Sequence, residues 1–319
     1  MDTRLDARFF DVRKPEISAI FQIRDQLQYS GREFLRSKGF MEITTPKIIA
    51  SASEGGTDLF PISYFEKEAF LAQSPQLYKQ SMMASGLDRV YEIATYFRAE
   101  QHNTIWHLNE NTAFDLEMAF IESEEDVMDI LEGLVLHVIK HISKNCQPQL
   151  DILKKEVAVP KNPPRLMYDE CLKMLKGIVD IEWGEDISTE GEKKLGEIMK
   201  EKGYEVFFIK KYPLKIRAFY TMPDPTNPKL SNSFDLEYKG REISSGAQRI
   251  HLYDMLVKRI EAKGLNPENF CSYLDAFRFG MPPHGGFGLG IERLLMQILE
   301  LPNIREAMLF PRDRKRLTP

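Results

Sequence analysis

Apolar residues recur at helical spacing in some segments of this chain and alternate with polar residues in others. The helical spacing predicts helices over residues 15–38, 75–85, 124–144, 165–176, 189–202, 251–263, 267–276 and 291–299. Alternation between turn residues predicts strands over residues 40–46, 59–64, 68–72, 90–98, 114–121, 205–210, 216–222, 233–238 and 241–246. Strands joined by hairpins, with helices grouped between them, favour an α+β fold with an antiparallel sheet flanked by helices.

The domain organisation is less clearly marked in the sequence. The segment 146–164 is rich in proline and begins either a linker or an insertion that extends to about residue 203. We found no internal repeat and no segment of low complexity. The chain of 319 residues is long enough for one large domain or two small ones.

Composition and charge exclude several classes of protein. No apolar run approaches the roughly 18 residues that span a bilayer, and the first residues lack the apolar core of a secretion signal. Three widely spaced cysteines form neither a zinc motif nor a disulfide framework, which favours the cytoplasm. The net charge of −5 argues against wholesale binding of nucleic acid, but a local basic patch such as residues 312–316 is compatible with it.

Two arginines predict a site for phosphate groups. Arg98 ends a predicted strand before a polar loop, and Arg293 opens a helix after the glycine-rich turn 285–290. Guanidinium groups fork onto phosphate oxygens, so the two side chains are candidates to hold one triphosphate, with His107 at its γ-phosphate. The chain has no P-loop sequence, so an ATP site here belongs to another fold. Taken alone, each segment also fits an ordinary exposed hairpin or a tight turn.

Three oxygen-bearing side chains predict a metal site. Asp235, Glu242 and Ser245 lie on two strands that pair across the turn at residues 239–240. Carboxylate and hydroxyl oxygens are the ligands that Mg²⁺ takes beside phosphate groups. The alternative for these residues is a charged surface hairpin.

A second polar group predicts a pocket for a carboxylate. Gln76 and Lys79 are three residues apart on a predicted helix and therefore share one face. Together with Arg249 they offer an amide and two cations. The alternative is a polar face of an ordinary helix.

The order of these segments resembles the three motifs of the class II aminoacyl-tRNA synthetases. It runs from the strand that ends at Pro46 through residues 54–56, the Gln76 helix, the Arg98 loop and residues 242–246 to residues 288–293. Within that class the whole chain resembles the archaeal and eukaryotic group of aspartyl-tRNA synthetases. The resemblance implies a six-stranded antiparallel sheet and a twofold homodimer formed through a first motif at about residues 34–46.

The resemblance also implies a two-step reaction and a set of site residues. L-Aspartate attacks the α-phosphate of ATP to give an adenylate, and the terminal ribose of tRNA then takes the aspartyl group. Arg98 and Arg293 match the catalytic arginines. The positions that match the ATP site are Arg98, Glu100, His107, Glu242 and Arg293. The positions that match the aspartate site are Glu54, Gln76, Lys79, Asp115, Ser245 and Arg249. The positions that match the Mg²⁺ site are Asp235, Glu242 and Ser245.

The same comparison predicts the choice of amino acid. Glu54 and Asp115 match positions near the substrate α-amino group, and Lys79 and Arg249 face its side chain. Asparagine would leave both cations without an anionic partner. Leaving such a group unpaired costs about 1–3 kcal/mol or more, which favours aspartate.

Two features depart from the family's pattern. The catalytic domain of the family follows an N-terminal OB-fold that reads the anticodon, and no such fold fits before residue 15. This predicts a truncated form or a stand-alone paralogue, with weaker charging of specific tRNA. Trp106 stands where members usually have an arginine. Asn111 and Thr112 stand where an aromatic side chain usually stacks on adenine, a loss of roughly 1 kcal/mol that Phe114 is badly placed to restore.

Three functions fit the sequence. The first is activation of aspartate and its transfer to the 3′ end of tRNA in the cytoplasm, with no membrane partner. The second is a paralogue that passes aspartate to ammonia, as an asparagine synthetase, or to another acceptor. The third is a catalytically impaired dimeric binding module, which Trp106 and Asn111 favour and which the retained phosphate and Mg²⁺ residues oppose.

Overall fold

The computed structural model of the protein describes residues 1–50, 59–101 and 104–318. Its helices are α1 (Asp2–Asp6), α2 (Arg8–Asp11), α3 (Pro15–Ser37), α4 (Gln76–Met82), α5 (Glu124–Asn145), α6 (Gln147–Leu153), α7 (Tyr168–Leu175), α8 (Thr189–Glu201), α9 (Tyr253–Ala262), α10 (Cys271–Arg278) and α11 (Ile291–Leu299). Its strands are β1 (Met41–Glu42), β2 (Ile48–Ile49), β3 (Pro61–Tyr64), β4 (Lys67–Leu71), β5 (Arg89–Phe97), β6 (Glu110–Ala119), β7 (Arg165–Met167), β8 (Val206–Lys210), β9 (Ser233–Tyr238), β10 (Glu242–Arg249) and β11 (His284–Gly290). No helix within these ranges is long and apolar enough to cross a membrane.

The main sheet confirms the predicted α+β fold. Its strand order is β1-β5-β6-β11-β10-β9-β8-β7, and the six central strands pair antiparallel throughout. The short strands β1 and β7 add a parallel pair at each edge. A separate three-stranded sheet is formed by β2, β4 and β3. The central six strands are therefore the antiparallel sheet that the family resemblance implied.

Side chains along β6 point alternately to the two faces of the sheet. One face is covered by the hydrophobic core, and the other carries polar side chains. Phe114, Leu116 and Met118 are buried in the core with α3 and α5. Asp115 and Glu117 lie between them in sequence, so they point to the opposite face. The helix α5 starts cleanly because Ser123 and Asp126 form a capping box at its first turn. The core thus fixes one face of β6 and leaves the other for polar side chains.

The structure differs from the predicted elements in several places. The strand predicted over residues 40–46 is confined to β1, and the first residues of the helix predicted over 165–176 form β7. Residues 216–222 do not form a strand; they make only isolated bridges, including Thr221 with Arg249. The prolines at 213 and 223 bracket this segment, and Phe219 and Tyr220 pack into a second core beneath α9 and α10 instead. Residues 285–290, predicted as a turn, belong to the central strand β11.

The glycines of β11 are required by close packing. A Cβ atom at Gly286 would overlap the carbonyl oxygen of Leu116 and the carboxylate of Glu117. Glycine is therefore required at position 286, because any side chain there would collide with Glu117 and would prevent β11 from pairing with β6. Glycine is depleted in ordinary strands, which is why the sequence pattern indicated a turn.

Gly286→Ala is expected to lower the free energy of unfolding by about 3 kcal/mol, because the added methyl group cannot be accommodated without moving β6. Gly290→Ala is the matched control, since the nearest atom to its added Cβ is 3.7 Å away. Urea denaturation of both variants measures the difference. Equal stability of the two would contradict the close packing of β11 on Glu117.

The region 146–203 contains α6, β7, α7 and α8. Some of its apolar residues, among them Tyr168, Cys171 and Leu195, form a small core together with Phe207, Ile209 and Tyr212. It joins the main sheet through the parallel pairing of β7 with β8. The helix α8 also packs on the hairpin between β9 and β10, where Gly196 approaches Gly240 too closely for a side chain. An inserted subregion stays a prediction, but its contacts place α8 beside the functional groove.

Candidate active site

A polar cavity of about 290 Å³ opens over β6, β11 and β10. It lies on the face of the sheet opposite α3 and α5. The residues that line it include Gln76, Tyr96, Arg98, Glu100, Trp106, His107, Asn111, Asp115, Arg217, Tyr220, Glu242, Ser245, Arg249 and Arg293. Lys79 and Asp235 lie just behind this lining, and Glu54 falls outside the described residues.

All the residues predicted for ATP line this cavity. Arg98 follows β5 directly, and its Nη1 lies 3.9 Å from Glu100 Oε1. His107 Nε2 lies 4.0 Å from the other oxygen of Glu100. Arg293, in the first turn of α11, donates from Nη1 to the carbonyl oxygen of Glu242 at 3.1 Å. Two guanidinium groups and an imidazole thus line the same cavity, and groups of this kind are able to bind phosphate oxygens.

Asn111 and Thr112, which stand where an aromatic ring was expected to stack on adenine, have different surroundings in the structure. Asn111 lines the cavity, and its Nδ2 donates to the carbonyl oxygen of Leu108 at 2.8 Å. Thr112 is held away from it by Glu292, which accepts from the Thr112 backbone nitrogen at 3.0 Å. Phe114 is fully buried in the core, as strand alternation predicted. The aromatic rings on the cavity wall are instead those of Tyr96, Trp106 and Tyr220.

The residues predicted for the amino-acid side chain form a buried network of ion pairs. Lys79 Nζ lies 2.5 Å from Asp115 Oδ1 and 3.2 Å from Glu117 Oε2. Arg249 Nε donates to Glu117 Oε1 at 3.0 Å. Sequence reasoning missed Glu117, although it shares the strand face of Asp115 two residues away.

Glu117 corrects one expectation. Lys79 and Arg249 already share an anionic partner in the chain, so asparagine would not leave them unpaired. Burial opposes ionisation of Glu117, but Arg249 and Lys79 outweigh burial and hold its pKa below the ordinary value. The network contains two cations, Lys79 and Arg249, and two carboxylates, Glu117 and Asp115. The choice of ligand therefore depends on the net charge of all four side chains.

Asp115 is less completely stabilised than Glu117. Burial raises its pKa above the ordinary value, and the nearby Lys79 only partly offsets that effect. A cationic group that enters the cavity beside Asp115 would favour its ionised form. This is the behaviour expected of a carboxylate that receives an ammonium group.

Gln76 is the clearest unpaired donor at the cavity. Its side chain is buried at the start of α4, and its Nε2 has no hydrogen-bond partner among the residues that the structure describes. Buried amide groups are nearly always paired in folded proteins. A ligand with an acceptor oxygen at this position would complete its hydrogen bonding.

The oxygen ligands predicted for Mg²⁺ lie together on β9 and β10. Asp235 is paired in register with Ser245, and Glu242 lies three residues before Ser245 on the same strand. Arg217, which the sequence analysis missed because its segment was predicted as a strand, lies between them. Its Nη2 donates to Asp235 Oδ2 at 2.5 Å, and its Nη1 lies 3.5 Å from Ser245 Oγ.

The surroundings of this group favour a cation. Burial and the neighbouring carboxylate of Asp235 raise the pKa of Glu242, and burial together with Glu192 raises the pKa of Glu237 well above the ordinary value. Glu237 Oε2 has no hydrogen-bond partner among the described residues. No three His, Cys, Asp or Glu side chains of those same residues stand ready to hold a metal by themselves. The donors therefore fit Mg²⁺ only with phosphate and water oxygens completing its shell.

A buried histidine, His284 on β11, lies near the charged network of Glu117 and Arg249. His284 Nδ1 lies 2.9 Å from the carbonyl oxygen of Pro282, which requires a proton on Nδ1 and leaves Nε2 to accept from Gln80 Nε2 at 3.1 Å. Gln80 in turn accepts from the hydroxyl of Tyr273 at 3.0 Å. The neutral ring therefore satisfies both nitrogens. Burial lowers the pKa of His284 to about 4.

His284 predicts a pH dependence of stability. Because its pKa is lower in the folded chain than the ordinary value of 6.5, the unfolded chain binds more protons between these values. Stability contributed by the neutral ring is complete above about pH 6.5 and is lost as the pH falls toward 4, by up to about 3 kcal/mol. Urea denaturation across this range should show a steeper decline for the native chain than for His284→Gln. Parallel curves would contradict this prediction.

Three comparisons place the chain among known proteins. The family model for class II tRNA synthetases (D, K and N) matches residues 1–314. The aspartate–tRNA(Asp) ligase of Thermococcus kodakarensis is 59% identical over 100% of this chain and 74% of its own length. The aspartate–tRNA(Asp/Asn) ligase of Methanothermobacter thermautotrophicus is 56% identical over 100% of this chain and 72% of its own length.

A solved structure gives the same result. The asparaginyl-tRNA synthetase of Pyrococcus horikoshii, complexed with asparaginyl-adenylate, superposes with a TM-score of 0.94 at 36% identity, over 100% of this chain and 74% of that one. The antiparallel sheet and its close superposition on this structure define a class II synthetase fold. The chain belongs to the class II tRNA synthetases of the D, K and N group.

Proposed function

We propose that the protein activates L-aspartate with ATP to aspartyl-adenylate and transfers the aspartyl group to the 3′ end of tRNA. The observation that supports this is a single cavity whose lining includes Arg98 and Arg293, suited to phosphate groups, together with Asp115 and Arg249, which are joined to Lys79 and Glu117 by ion pairs. The relatives named above, aspartate–tRNA ligases by name, support the choice of substrate.

The chain's own residues account for the first step. Asp115 receives the α-ammonium group of aspartate, Gln76 and Lys79 hold its side chain, and the α-carboxylate is left facing the α-phosphate. One carboxylate oxygen bonds to the α-phosphorus as the bond from that phosphorus to the bridging oxygen breaks and pyrophosphate leaves. Arg98 stabilises the charge on the α-phosphate, and His107 and Arg293 stabilise the leaving pyrophosphate. Positioning and electrostatics carry the step, with no covalent enzyme intermediate.

Asp235, Glu242 and Ser245 would hold Mg²⁺ in this scheme. The ion would supply positive charge to the crowded phosphate oxygens. Arg217 now serves as the counter-ion of Asp235, so the guanidinium and Mg²⁺ would share one acidic environment. Glu100 meets the adenine or the end of the tRNA, and Glu54 is assigned to the amino-acid site by position alone.

The acceptor end of tRNA would enter beside the basic C-terminal segment 312–316. This segment is attached to the Arg98 loop at two points. The carbonyl oxygen of Arg312 accepts from the backbone nitrogen of Asn109 at 2.9 Å, and Arg314 Nη1 donates to the carbonyl oxygen of Gln101 at 3.0 Å. Basic side chains attached to the Arg98 loop suit a phosphate backbone.

The functional protein is proposed to be a cytoplasmic homodimer. Tyr29, Met41 and Ile48, in and beside the first motif, are exposed apolar side chains, with 57%, 53% and 47% of their surface accessible. Such residues suit a self-complementary interface across a twofold axis. Sedimentation equilibrium should give about twice the chain mass of 37.0 kDa, and a monomer would contradict the dimer.

One observation favours a smaller acceptor as the second candidate. Trp106, at the loop position that faces the cavity, packs on Arg241 with 4.5 Å between the guanidinium carbon and the ring centroid. The loop therefore presents a closed aromatic wall at this point instead of a free cation for a polynucleotide. Ammonia would pass such a wall, attack the activated carbonyl carbon and displace AMP. The product would be asparagine only if aspartate bound in the reverse orientation, with its side-chain carboxylate instead of its α-carboxylate attacking the α-phosphate.

The deciding experiment is aspartate-dependent exchange of pyrophosphate into ATP, with Mg²⁺, without tRNA, and with asparagine as control. Exchange with aspartate alone supports the adenylate step. Adding tRNA or ammonium then separates the two acceptors, since only one of them should yield product at a useful rate. A folded protein without exchange would contradict both functions and leave the dimeric binding module.

A further inference from the structure

Trp106 and Arg241 join two parts of the chain that are far apart in sequence. Trp106 lies in the loop after Arg98, and Arg241 lies in the hairpin between β9 and β10. Trp106 packs against the cluster of Leu108, Met296 and Ile304, and the guanidinium of Arg241 lies over its ring at 4.5 Å from the centroid. The aromatic ring is therefore held by an apolar cluster and by a cation.

Arg241 is fixed in turn by α8. Its Nη1 lies 3.5 Å from Glu192 Oε2 and 3.4 Å from the carbonyl oxygen of Thr189. The close approach of Gly196 to Gly240 sets the distance between α8 and the hairpin. The guanidinium of Arg241 therefore links the region 146–203, through α8, to Trp106 in the Arg98 loop.

This contact closes a side chamber of the cavity. The chamber has a volume of about 180 Å³ and is lined by residues that include Trp106, His107, Glu192, Arg241, Glu242 and Arg293. His107 and Arg293 are the residues assigned above to the γ-phosphate end of ATP. The position of His107 depends on the same loop, since its Nδ1 lies 2.6 Å from Thr104 Oγ1, which also accepts from the backbone nitrogen of Trp106 at 3.1 Å.

We propose that Trp106 and Arg241 are positioning residues that act as one unit, holding the Arg98 loop closed against α8 so that His107 and Arg293 meet the terminal phosphate of ATP. The inference rests on the proposed function for the identity of the nucleotide. A guanidinium over an indole face contributes from about 0.5 to 2 kcal/mol, depending on how dry the contact is. Loss of the contact frees the loop and weakens ATP binding without removing any group that contacts the α-phosphate.

The first test is a double-mutant cycle in pyrophosphate exchange. Trp106→Ala and Arg241→Ala should each raise the KM for ATP about tenfold, equivalent to about 1.4 kcal/mol, and should change kcat by no more than about twofold. The double variant should be no worse than either single variant, because the shared contact is already lost. Trp106→Phe should retain most of the affinity, and Trp106→Arg should be the weakest, since it places two guanidinium groups together.

The second test does not require catalysis. The chain has two tryptophans, and Trp183 lies outside the cavity with its Nε1 bonded to Asp169. In a Trp183→Phe background, the emission of Trp106 should shift to longer wavelength in Arg241→Ala, and the midpoint of an ATP titration with Mg²⁺ should rise about tenfold.

The outcomes separate this inference from the proposed function. Independent, multiplicative effects of the two single variants on KM would overturn it, and so would an emission spectrum that ignores Arg241 or fails to respond to ATP. If ATP binds with the coupled shift while aspartate supports no exchange, the proposed function fails and the positioning role stands.

Discussion

Arg98→Ala is expected to reduce aspartate-dependent pyrophosphate exchange by about 10²- to 10³-fold, mostly in kcat. The charge on the α-phosphate grows as the carboxylate attacks, so a guanidinium aimed at that phosphate stabilises the transition state more than the bound substrates. Loss of one such donor in a preorganised site typically costs about 2.7–4 kcal/mol. Arg98→Lys should recover only part of the rate, because an ammonium group cannot bond two phosphate oxygens in the same plane.

A matched arginine outside the cavity provides the control. Arg278 on α10 is exposed and pairs with Asp275, so Arg278→Ala should leave exchange unchanged. Thermal unfolding of Arg98→Ala should show a loss of at most about 1 kcal/mol, because the Arg98 side chain is 41% exposed and its contacts include an ion pair with Glu100 and the face of the Tyr96 ring. An exchange rate within fivefold of the native chain would remove Arg98 from the catalytic role.

Turn residues and hairpin pairing predicted some of the central strands well, including one whose six residues are all buried. The strand β9 lies at residues 233–238 as predicted, because its hairpin partner and the turn at 239–240 leave one register. The strand β11 was missed because its glycines are dictated by Glu117 and Leu116 across the pairing, which local sequence does not reveal. The segment around Arg217 was misassigned for a similar reason, since its aromatic residues serve a core formed by distant helices.

In the candidate site, too, residues with a local sequence signal were predicted and residues that depend on distant partners were missed. Residues on recognisable motifs, such as Arg98 and Arg293, were predicted and lie together on the cavity wall. Glu117 and Arg217 were not, because each acts as the counter-ion of a predicted residue and has no motif of its own. A buried charge needs a partner, so the predicted Lys79, Arg249 and Asp235 implied such residues without locating them in the sequence.

Counter-ions also change how the choice of amino acid is explained. Lys79 and Arg249 are paired with Glu117 before any ligand enters, so neither cation is exposed as an unsatisfied charge. A carboxylate ligand adds one more negative charge to this group of two cations and two acids. The pKa of one of the acids, Asp115, is raised, so its ionised form is the less stabilised of the two. The ammonium of the same ligand offsets that added charge at Asp115. The selection of aspartate therefore depends on the balance of the entire network.

Lys79→Met is expected to abolish activation of aspartate, with a loss of roughly a thousandfold in kcat/KM, or about 4 kcal/mol. The substitution keeps the volume of the side chain but leaves Asp115 and Glu117 with Arg249 as their nearby cation. Removal of one partner from a buried ion pair typically costs about 3–5 kcal/mol. Lys79→Arg should retain more activity, since it keeps the charge. The measurement is exchange at varied concentrations of aspartate and of asparagine.

The variant Gln76→Ala tests whether a loss of aspartate activation comes from a changed binding site or from an unfolded protein. The Gln76 Nε2 has no partner among the described residues, so its removal should leave thermal stability unchanged. Its loss should raise the KM for aspartate about 10- to 100-fold, because a hydrogen bond to a charged group contributes about 1.5–3 kcal/mol. If Lys79→Met unfolds, the Gln76 variant still tests the pocket. Normal aspartate affinity in a folded Gln76→Ala protein would place the amino acid elsewhere in the cavity.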